Sequence, residues 1–164
     1  MMLNVGCGNF PAPAPWVNVD RYLGGPVQPD IVCSVLELSE FVQRGSVSHL
    51  YCGHLLEHLA PEDVEKALRQ MAAVLEPSGK LCIVGPDYDR AVADPALDPT
   101  QLASIRDGAR RWPGDEHLWV ATEASTLEYV RKVFPDAKPA DLTTIDPIWP
   151  CPFRWVTWQT CILA

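Results

Sequence analysis

The chain has 164 residues, of which 48% are hydrophobic and 21% charged, so its length and composition are those of one globular domain. Its 13 Lys and Arg residues against 21 Asp and Glu residues give a net charge of −8, which argues against general nucleic-acid binding, because that depends on basic side chains. No apolar run approaches the ~18 residues that suggest a membrane span, and the N-terminus carries no features of a signal peptide. The 6 cysteines form no C-x-x-C pair. Four of them lie in apolar, strand-like runs, and we interpret these four as buried thiols of a reducing compartment and expect a cytoplasmic protein: Cys33, Cys52, Cys82 and Cys161.

Strand and helix signals alternate along the first half of the chain. A helix is predicted over residues 61–75, where Pro61 suits the first helical position and the apolar residues recur at helical spacing. Weaker helices are predicted over 36–43 and 122–134. Short apolar runs bounded by Gly, Pro or acidic residues predict five strands, at 3–5, 16–19, 30–34, 47–52 and 80–84. This alternation favours an α/β fold, a doubly wound and mostly parallel sheet with helices on both faces.

The second half is less regular. Residues 86–116 hold four prolines and predict a long irregular insertion with one short helix over 101–111. Insertions of this kind are often lids or binding loops. Two later runs, 140–145 and 154–163, predict an antiparallel hairpin at the C-terminus. We therefore expect one domain over 1–164.

The turn after the first strand is rich in glycine. Gly6 and Gly8 permit a tight turn and a close approach of a ligand to the backbone. Asp20, at the end of the second strand, offers a carboxylate that can accept both hydroxyls of a ribose. Pro11 stands where a dinucleotide-binding G-x-G-x-x-G motif has its third glycine, and no helix N-terminus follows to hold a pyrophosphate. The pattern favours a nucleoside-like ligand without phosphates and disfavours an oxidoreductase.

Four motifs follow one another in the first half, at residues 3–8, 17–20, 50–59 and 74–87. In this order and spacing they resemble the class I S-adenosylmethionine-dependent methyltransferases, in particular the small type-11-like members. The resemblance covers residues 2–90. It implies a Rossmann-like fold, methyltransferase activity and S-adenosyl-L-methionine as the cofactor. It also implies a cofactor-binding half over 1–90 and an acceptor-side half over 91–164.

The resemblance further implies which positions contact the cofactor. The positions expected to line the methionine part and the transferable methyl group are Gly6, Cys7, Gly8, Cys52, Gly53 and His54. The positions expected to bind the ribose and flank the adenine are Asp20, Arg21, Ser34, Val35 and Leu36.

Two departures from the family pattern concern the cofactor. Prolines at every second position of 11–15 exclude a regular helix there, so the first helix of the family is expected to be shortened or missing. Ser34 follows the third strand, where many relatives place an acid that binds the adenine amino group.

The acceptor side is less determined by the sequence. Methyl transfer from a sulfonium mainly requires alignment of donor and acceptor, and a hydroxyl or protonated amine also needs a base. His54, Asp87 and His117 are the candidate catalytic residues, since each is expected near the same rim of the sheet. The acceptor itself is open; a small molecule or a glycan- or lipid-type precursor is possible, and no metal is assigned to these site residues.

Two alternatives remain open. A methyltransferase fold that has lost catalysis and serves as a binding module would fit the shortened cofactor loop. A zinc hydrolase would use His54-x-x-Glu57-His58, which matches the H-x-x-E-H motif. That motif needs both histidines one turn apart on a stable helix and a third ligand downstream. Pro61 instead indicates a new helix start three residues later.

Overall fold

A computed structural model describes residues 1–21, 28–111, 114–154 and 156–164. Its described strands form one sheet in the order β3-β2-β1-β4-β5-β7-β6. The first five strands run parallel, and β7 runs antiparallel to both β5 and β6. The strands are β1 (Met2–Val5), β2 (Trp16–Asp20), β3 (Ile31–Val32), β4 (Val47–Gly53), β5 (Leu75–Pro86), β6 (Lys138–Pro139) and β7 (Gln159–Leu163). The predicted α/β fold with a mostly parallel sheet and an antiparallel C-terminal pair is confirmed.

The strongest predicted helix is present almost to the residue. The described helices are α1 (Leu38–Phe41), α2 (Pro61–Val74), α3 (Tyr88–Ala93), α4 (Pro99–Asp107) and α5 (Glu123–Arg131). Helix α2 buries Leu68 and Met71 completely against the sheet. Thr122 caps α5 through its side chain, which accepts a hydrogen bond from the backbone N–H of Ser125, as an N-cap threonine should.

The insertion after β5 is more helical than expected. Besides a short α3, it contains α4, which begins at Pro99 rather than at residue 101. The carboxylate of Asp98 accepts from the N–H groups of Thr100 and Gln101, and the Gln101 side chain accepts from the N–H of Asp98. This reciprocal cap fixes the start of the helix. Gly108, at φ 81°, ends it.

The two faces of the sheet are covered differently. Helices α1, α2 and α5 all pack on one face. On the other face, irregular chain around Leu142 and Trp149 packs against Trp16 and Tyr51. The expectation of helices on both faces is therefore wrong for the described core, because the proline-rich segments on that side cannot form helices.

The C-terminal hairpin is shorter than predicted. Strand β6 lies before the predicted run 140–145, and β7 begins at Gln159 rather than at residue 154. Part of the predicted strand, residue 155, lies outside the described residues. The guanidinium of Arg154 organises the irregular segment by donating to the carbonyls of Ile145 and Trp149, at 2.9 and 2.6 Å.

The segment between β1 and β2 contains no helix, as the prolines predicted. The buried side chain of Asn18 holds the conformation of this segment. Oδ1 of Asn18 accepts from the N–H of Ala12 at 2.7 Å, and Nδ2 of Asn18 donates to the carbonyl of Ala12 at 3.0 Å. Asn4 donates to the same Asn18 oxygen at 2.9 Å. A buried amide pair thus supplies bonds that would otherwise be made within a first helix.

None of the described helices is long and apolar enough to cross a membrane.

Candidate functional site

A cleft of about 1270 Å³ opens at the carboxyl ends of the parallel strands. Strand order reverses between β1 and β4, since the chain builds outward from β1 to β3 on one side and from β4 to β5 on the other. Ligands of open α/β sheets bind outside the carboxyl ends at such a switch point. The cleft therefore lies where the topology predicts a ligand.

The loop after β1 forms one wall of this cleft. The N–H groups of Gly6 and Cys7 both donate to the carbonyl of Val19, so the loop folds back across the end of β2. Gly6 and Gly8 have φ of 74° and 49°, which glycine adopts readily. A Cβ on Gly8 would meet no protein atom within 4 Å, so the backbone there faces open space.

Asp20 joins the loop to the second strand. Its Oδ2 accepts a hydrogen bond from the N–H of Gly8 at 2.8 Å, and both residues line the cleft. Cys7 directly precedes Gly8 in the loop and is 4% exposed. Burial, together with the negative charge of Asp20, raises the pKa of the Cys7 thiol to about 11. The thiol is therefore neutral at physiological pH.

Residues expected beside the adenine also line the cleft. Arg21 directly follows β2, while Ser34, Val35 and Leu36 follow β3. The Ser34 hydroxyl oxygen accepts from the N–H of Leu36 at 3.2 Å and thereby caps the short turn Val35–Glu37. This bond leaves the hydroxyl hydrogen of Ser34 as the donor that the side chain can offer a ligand.

His54 stands at the end of β4 in a left-handed backbone conformation. Its φ is 52°, and its N–H donates to the carbonyl of Val84 at 2.8 Å. The preceding Gly53 has no room for a side chain, because a Cβ there would lie 2.5 Å from the Tyr51 hydroxyl. These constraints turn the His54 imidazole into the cleft, where its side chain is 35% exposed.

The imidazole of His54 is held from both sides. Nδ1 lies 3.1 Å from Oε1 of Glu57, and Nε2 lies 2.9 Å from Nε2 of Gln159. Because the Gln159 nitrogen can only donate, Nε2 of His54 accepts and Nδ1 carries the hydrogen donated to Glu57. Oε1 of Gln159 is buried and has no hydrogen-bond partner among the described residues.

Glu57 is a fully embedded acid. Its side chain is 2% exposed. Burial alone would raise the pKa of Glu57, but the hydrogen bond from His54 and the nearby His54 and His58 imidazoles outweigh it and lower that pKa. Sequence analysis treated this residue only as part of a zinc-protease motif, since nothing in the local pattern reveals its burial.

His117 reaches the same region from the segment after α4. It lines the cleft, and its Nδ1 lies 2.9 Å from the carbonyl oxygen of Ile105. Burial lowers the pKa of His117. The rings of His58 and His117 lie edge to face, with centroids 4.9 Å apart.

Two predicted site residues do not line the cleft. Cys52 is 0% exposed and belongs to the core beneath the sheet surface. Asp87 is 3% exposed, caps α3 and lies 3.0 Å from Nε of Arg90. Cys52, within β4, and Asp87, directly after β5, are both buried in the interior of the protein, a direction that strand order alone does not specify.

The geometry required by the zinc-hydrolase alternative is absent. Leu56–His58 is a single 3-10 turn rather than part of a stable helix. The first histidine of the motif, His54, is engaged with Glu57 and Gln159 instead of pointing with His58 at a common centre.

Residue Gln159 was missed by the sequence analysis. It lies in β7, 105 positions after His54, and reaches the site only because β7 pairs with β5 at the register Pro86↔Gln159. No local motif marks such a residue.

Comparisons with known proteins agree with this architecture. A family model described as a methyltransferase domain matches residues 14–83. None of the curated proteins matches the sequence significantly. A solved structure of an S-adenosylmethionine-dependent methyltransferase from Archaeoglobus fulgidus has a TM-score of 0.64 and 14% identity, over 99% of this chain and 84% of that chain.

Other solved structures share the fold at similar TM-scores and sequence identities. The 1,6-didemethyltoxoflavin-N1-methyltransferase of Burkholderia thailandensis, solved with 1,6-didemethyltoxoflavin and S-adenosylhomocysteine, has a TM-score of 0.58 and 15% identity, over 99% of this chain and 69% of that chain. An O-methyltransferase family protein from Burkholderia thailandensis has a TM-score of 0.57 and 11% identity. The match covers 99% of this chain but only 49% of that chain. The methyltransferase-domain model over residues 14–83 and the fold shared with these solved structures agree with the resemblance that the sequence motifs indicated.

Proposed function

We propose that this chain transfers a methyl group from S-adenosylmethionine to an acceptor bound in the cleft. The observation that carries the proposal is the convergence of Gly8 and Asp20 with His54 on one cleft at the switch point of the sheet. The three residues leave three different strands. The first two offer a nucleoside site, and the third offers a base.

The described residues fit the proposed cofactor. Gly8 presents open backbone, as close approach of a ligand requires. Asp20, Ser34, Val35 and Leu36 all line the cleft, which supports a role of the carboxylate toward ribose hydroxyls and of the other three residues beside an adenine. The cofactor, when bound, supplies an activated methyl group. The chain contributes binding and alignment.

His54 is the residue we assign to take a proton from the acceptor. In the neutral form described above, the Nε2 lone pair accepts from the Gln159 amide, so this amide must turn away before Nε2 can take a proton. Once Nε2 gains a proton it becomes a donor, and the buried Oε1 of Gln159 is then available to accept from it after the amide turns over. The Glu57 carboxylate on the other side of the ring stabilises the resulting imidazolium. His117 lines the acceptor side of the cleft, and we do not assign Asp87 a catalytic role.

A small-molecule acceptor is the class that the cleft favours. Ligand pockets usually measure about 300–1,000 Å³, and the volume of about 1270 Å³ leaves room for an acceptor beside the cofactor. Helix α4, which belongs to the insertion, lines this cleft through Gln101 and Ser104. The similar Burkholderia protein solved with 1,6-didemethyltoxoflavin supports the same reading.

Calorimetric titration with S-adenosylmethionine and S-adenosylhomocysteine tests the cofactor assignment. We expect each ligand to bind at a single site in the folded protein. Absence of binding by both ligands would overturn the proposal. Binding without methyl transfer to any member of a broad acceptor panel would instead favour the binding-module alternative.

A further inference from the structure

We propose that Glu57, His58 and His117 form a binding site for a divalent transition-metal ion on the acceptor side of the cleft. One donor atom from each residue lies within 4.8 Å of the other two. All three residues line the cleft. This set shares only two members with the H-x-x-E-H motif of the sequence, because His117 takes the place of His54.

The hydrogen bonds of the two imidazoles prepare them as ligands. Nδ1 of His58 lies 3.0 Å from the carbonyl oxygen of Glu116, and Nδ1 of His117 lies 2.9 Å from that of Ile105. A carbonyl oxygen can only accept, so in both rings Nδ1 carries the hydrogen and Nε2 keeps its lone pair. Metal-binding histidines nearly always donate their second ring N–H in this way, which fixes both tautomer and orientation.

The carboxylate of Glu57 is oriented in a similar manner. Its Oε1 accepts from Nδ1 of His54 at 3.1 Å, and its side chain is almost fully buried. A buried carboxylate beside two imidazole lone pairs concentrates electron-rich atoms, and a cation compensates such an arrangement. In this arrangement His54 is a positioning residue for the ligand Glu57.

The site is assembled from two distant parts of the chain that are firmly joined. The N–H of Leu118 donates to the carbonyl of Glu57 at 2.8 Å, and Nε1 of Trp119 donates to the carbonyl of Leu56 at 3.1 Å. These bonds hold the turn Leu56–His58 against the segment that carries His117. Ligands held on such a supported frame need little reorganisation when a metal binds.

The donor set indicates the class of ion. Two imidazole nitrogens and one carboxylate oxygen suit Zn²⁺, Mn²⁺, Fe²⁺ or Co²⁺, whereas Mg²⁺ and Ca²⁺ prefer oxygen ligands throughout. Ligands bound to one ion at about 2.0–2.2 Å stand about 3–3.5 Å apart, so the three donors draw together by about 1 Å on binding. Three protein ligands leave further coordination positions toward the cleft. If the proposed methyl-transfer function holds, these positions would take oxygen atoms of the acceptor.

Titration of the chelator-treated protein with Co²⁺ and Zn²⁺ tests the site without cofactor or turnover. We expect one ion to bind per chain. Calorimetry and the visible absorption of bound Co²⁺ monitor the titration. His54→Ala should weaken binding about 10- to 100-fold, as loss of a residue that orients a ligand does. His58→Ala and His117→Ala should each weaken it more than this.

His49→Ala is the matched control, because His49 packs against Trp149 and does not line the cleft. It should leave metal binding unchanged. If an alanine variant fails to fold by circular dichroism, the corresponding glutamine variant replaces it, since its amide can still donate to the same carbonyl. The proposal is overturned by absence of binding, by binding that survives both His58 and His117 substitutions, or by equal loss in His49→Ala. Because no cofactor is added, each of these results is independent of the cofactor titration.

Discussion

Nδ1 of His54 lies 3.1 Å from Oε1 of Glu57, which makes a partly exposed imidazole the hydrogen-bond donor to a carboxylate that is 2% exposed. The imidazole stands in a left-handed conformation with a φ of 52°. A residue with a side chain costs about 1–2 kcal/mol in this region. The bond to Glu57, the contact with Gln159 and the backbone bond from the N–H of His54 to the carbonyl of Val84 hold it there.

The coupling between these two residues can be measured as stability. We expect His54→Ala to lower the free energy of unfolding by about 1–3 kcal/mol, because it leaves a buried carboxylate without its donor. Adding Glu57→Gln to His54→Ala should recover part of that loss, because a neutral amide is less costly to bury than a charge. Urea denaturation in the presence of a chelator measures the stability of the four proteins of this double-mutant cycle: the unchanged chain, His54→Ala, Glu57→Gln and the double variant.

His54→Gly separates the loss of the hydrogen-bond donor from the cost of a side chain in the left-handed backbone conformation. It loses the same donor as His54→Ala but suits the left-handed backbone, so it should be the more stable of the two. Strictly additive effects of the His54 and Glu57 substitutions would show that the bond contributes nothing.

The cofactor assignment of Asp20 predicts a loss of affinity. We expect Asp20→Ala to weaken S-adenosylmethionine binding by about 1.5–3 kcal/mol, the usual contribution of hydrogen bonds to a charged group. Asp30→Ala is the matched control, since Asp30 also accepts a backbone N–H, that of Asn18 at 2.8 Å, yet lies outside the cleft lining. Calorimetry on both variants checks the assignment, and equal affinities would contradict it.

The hydrogen bonds of the Asn18 amide to Ala12 and Asn4 predict that substitution of Asn18 lowers stability by an unusually large amount. Asn18→Ala removes the partners of both backbone groups of the buried Ala12 and one of the two acceptors of the buried Asn4 amide, whose bond to the Phe10 carbonyl remains. We expect a loss of about 3 kcal/mol in the free energy of unfolding, because buried polar groups without partners cost about 1–3 kcal/mol each. Urea denaturation should show a lower midpoint. The exposed Asn9→Ala should change stability by less than about 0.5 kcal/mol, and a similar loss in both variants would refute the role of the network.

The raised pKa of Cys7 predicts slow alkylation. With a pKa of about 11 against an ordinary 9.0, the thiol stays protonated at pH 8 and reacts slowly with iodoacetamide. Asp20→Asn removes one of the charges that raise this pKa and should speed the reaction at fixed pH. Cys33, whose raised pKa arises from burial and Glu37, is the internal control. Peptide mass spectrometry reads both rates, and an unchanged Cys7 rate in Asp20→Asn would contradict the electrostatic coupling.

The same shift has a stability consequence with a defined sign. A group whose pKa is raised on folding stabilises the folded chain below its unfolded pKa and loses that contribution as the pH rises. For Cys7 the contribution is therefore complete below about pH 9 and is lost toward pH 11.

Sequence patterns predicted the elements that depend on local spacing. Helix α2 matched because its apolar stripe, its proline at the first position and the two acids of its first turn all favour a helix. Strand β5 is longer than predicted because Leu75, before the predicted turn 77–79, already pairs with Val47 of β4, and regular pairing resumes at His49 with Lys80 after a register shift. Leu142 and Ile145 were read as strand residues, yet they are buried in irregular chain. Alternating apolar residues indicate burial whether the segment is a strand or irregular chain.

The candidate site was predictable where strand ends specify it. Gly8, Asp20 and His54 follow strands whose order the motifs imply, so their common edge could be inferred. Gln159 and the tie between His58 and Glu116 depend on contacts across long stretches of chain. The inward direction of Cys52 and Asp87 depends on strand phase and on the cap of α3. None of these is encoded by spacing within a short segment.

The sheet face without helices has a consequence for how the molecule opens. Its covering is secured by side chains, by Asn18 on Ala12 and by Arg154 on the carbonyls of residues 145, 146 and 149, rather than by bonds within helices. Regions with few internal backbone bonds exchange their amide hydrogens through local openings well below the global unfolding energy. We expect amides of the 140–151 segment to exchange before those of α2. Because Trp149 packs on Trp16, the first residue of β2, with ring centroids 6.0 Å apart, we expect loosening of this covering to extend to the segment that leads from β1 into β2.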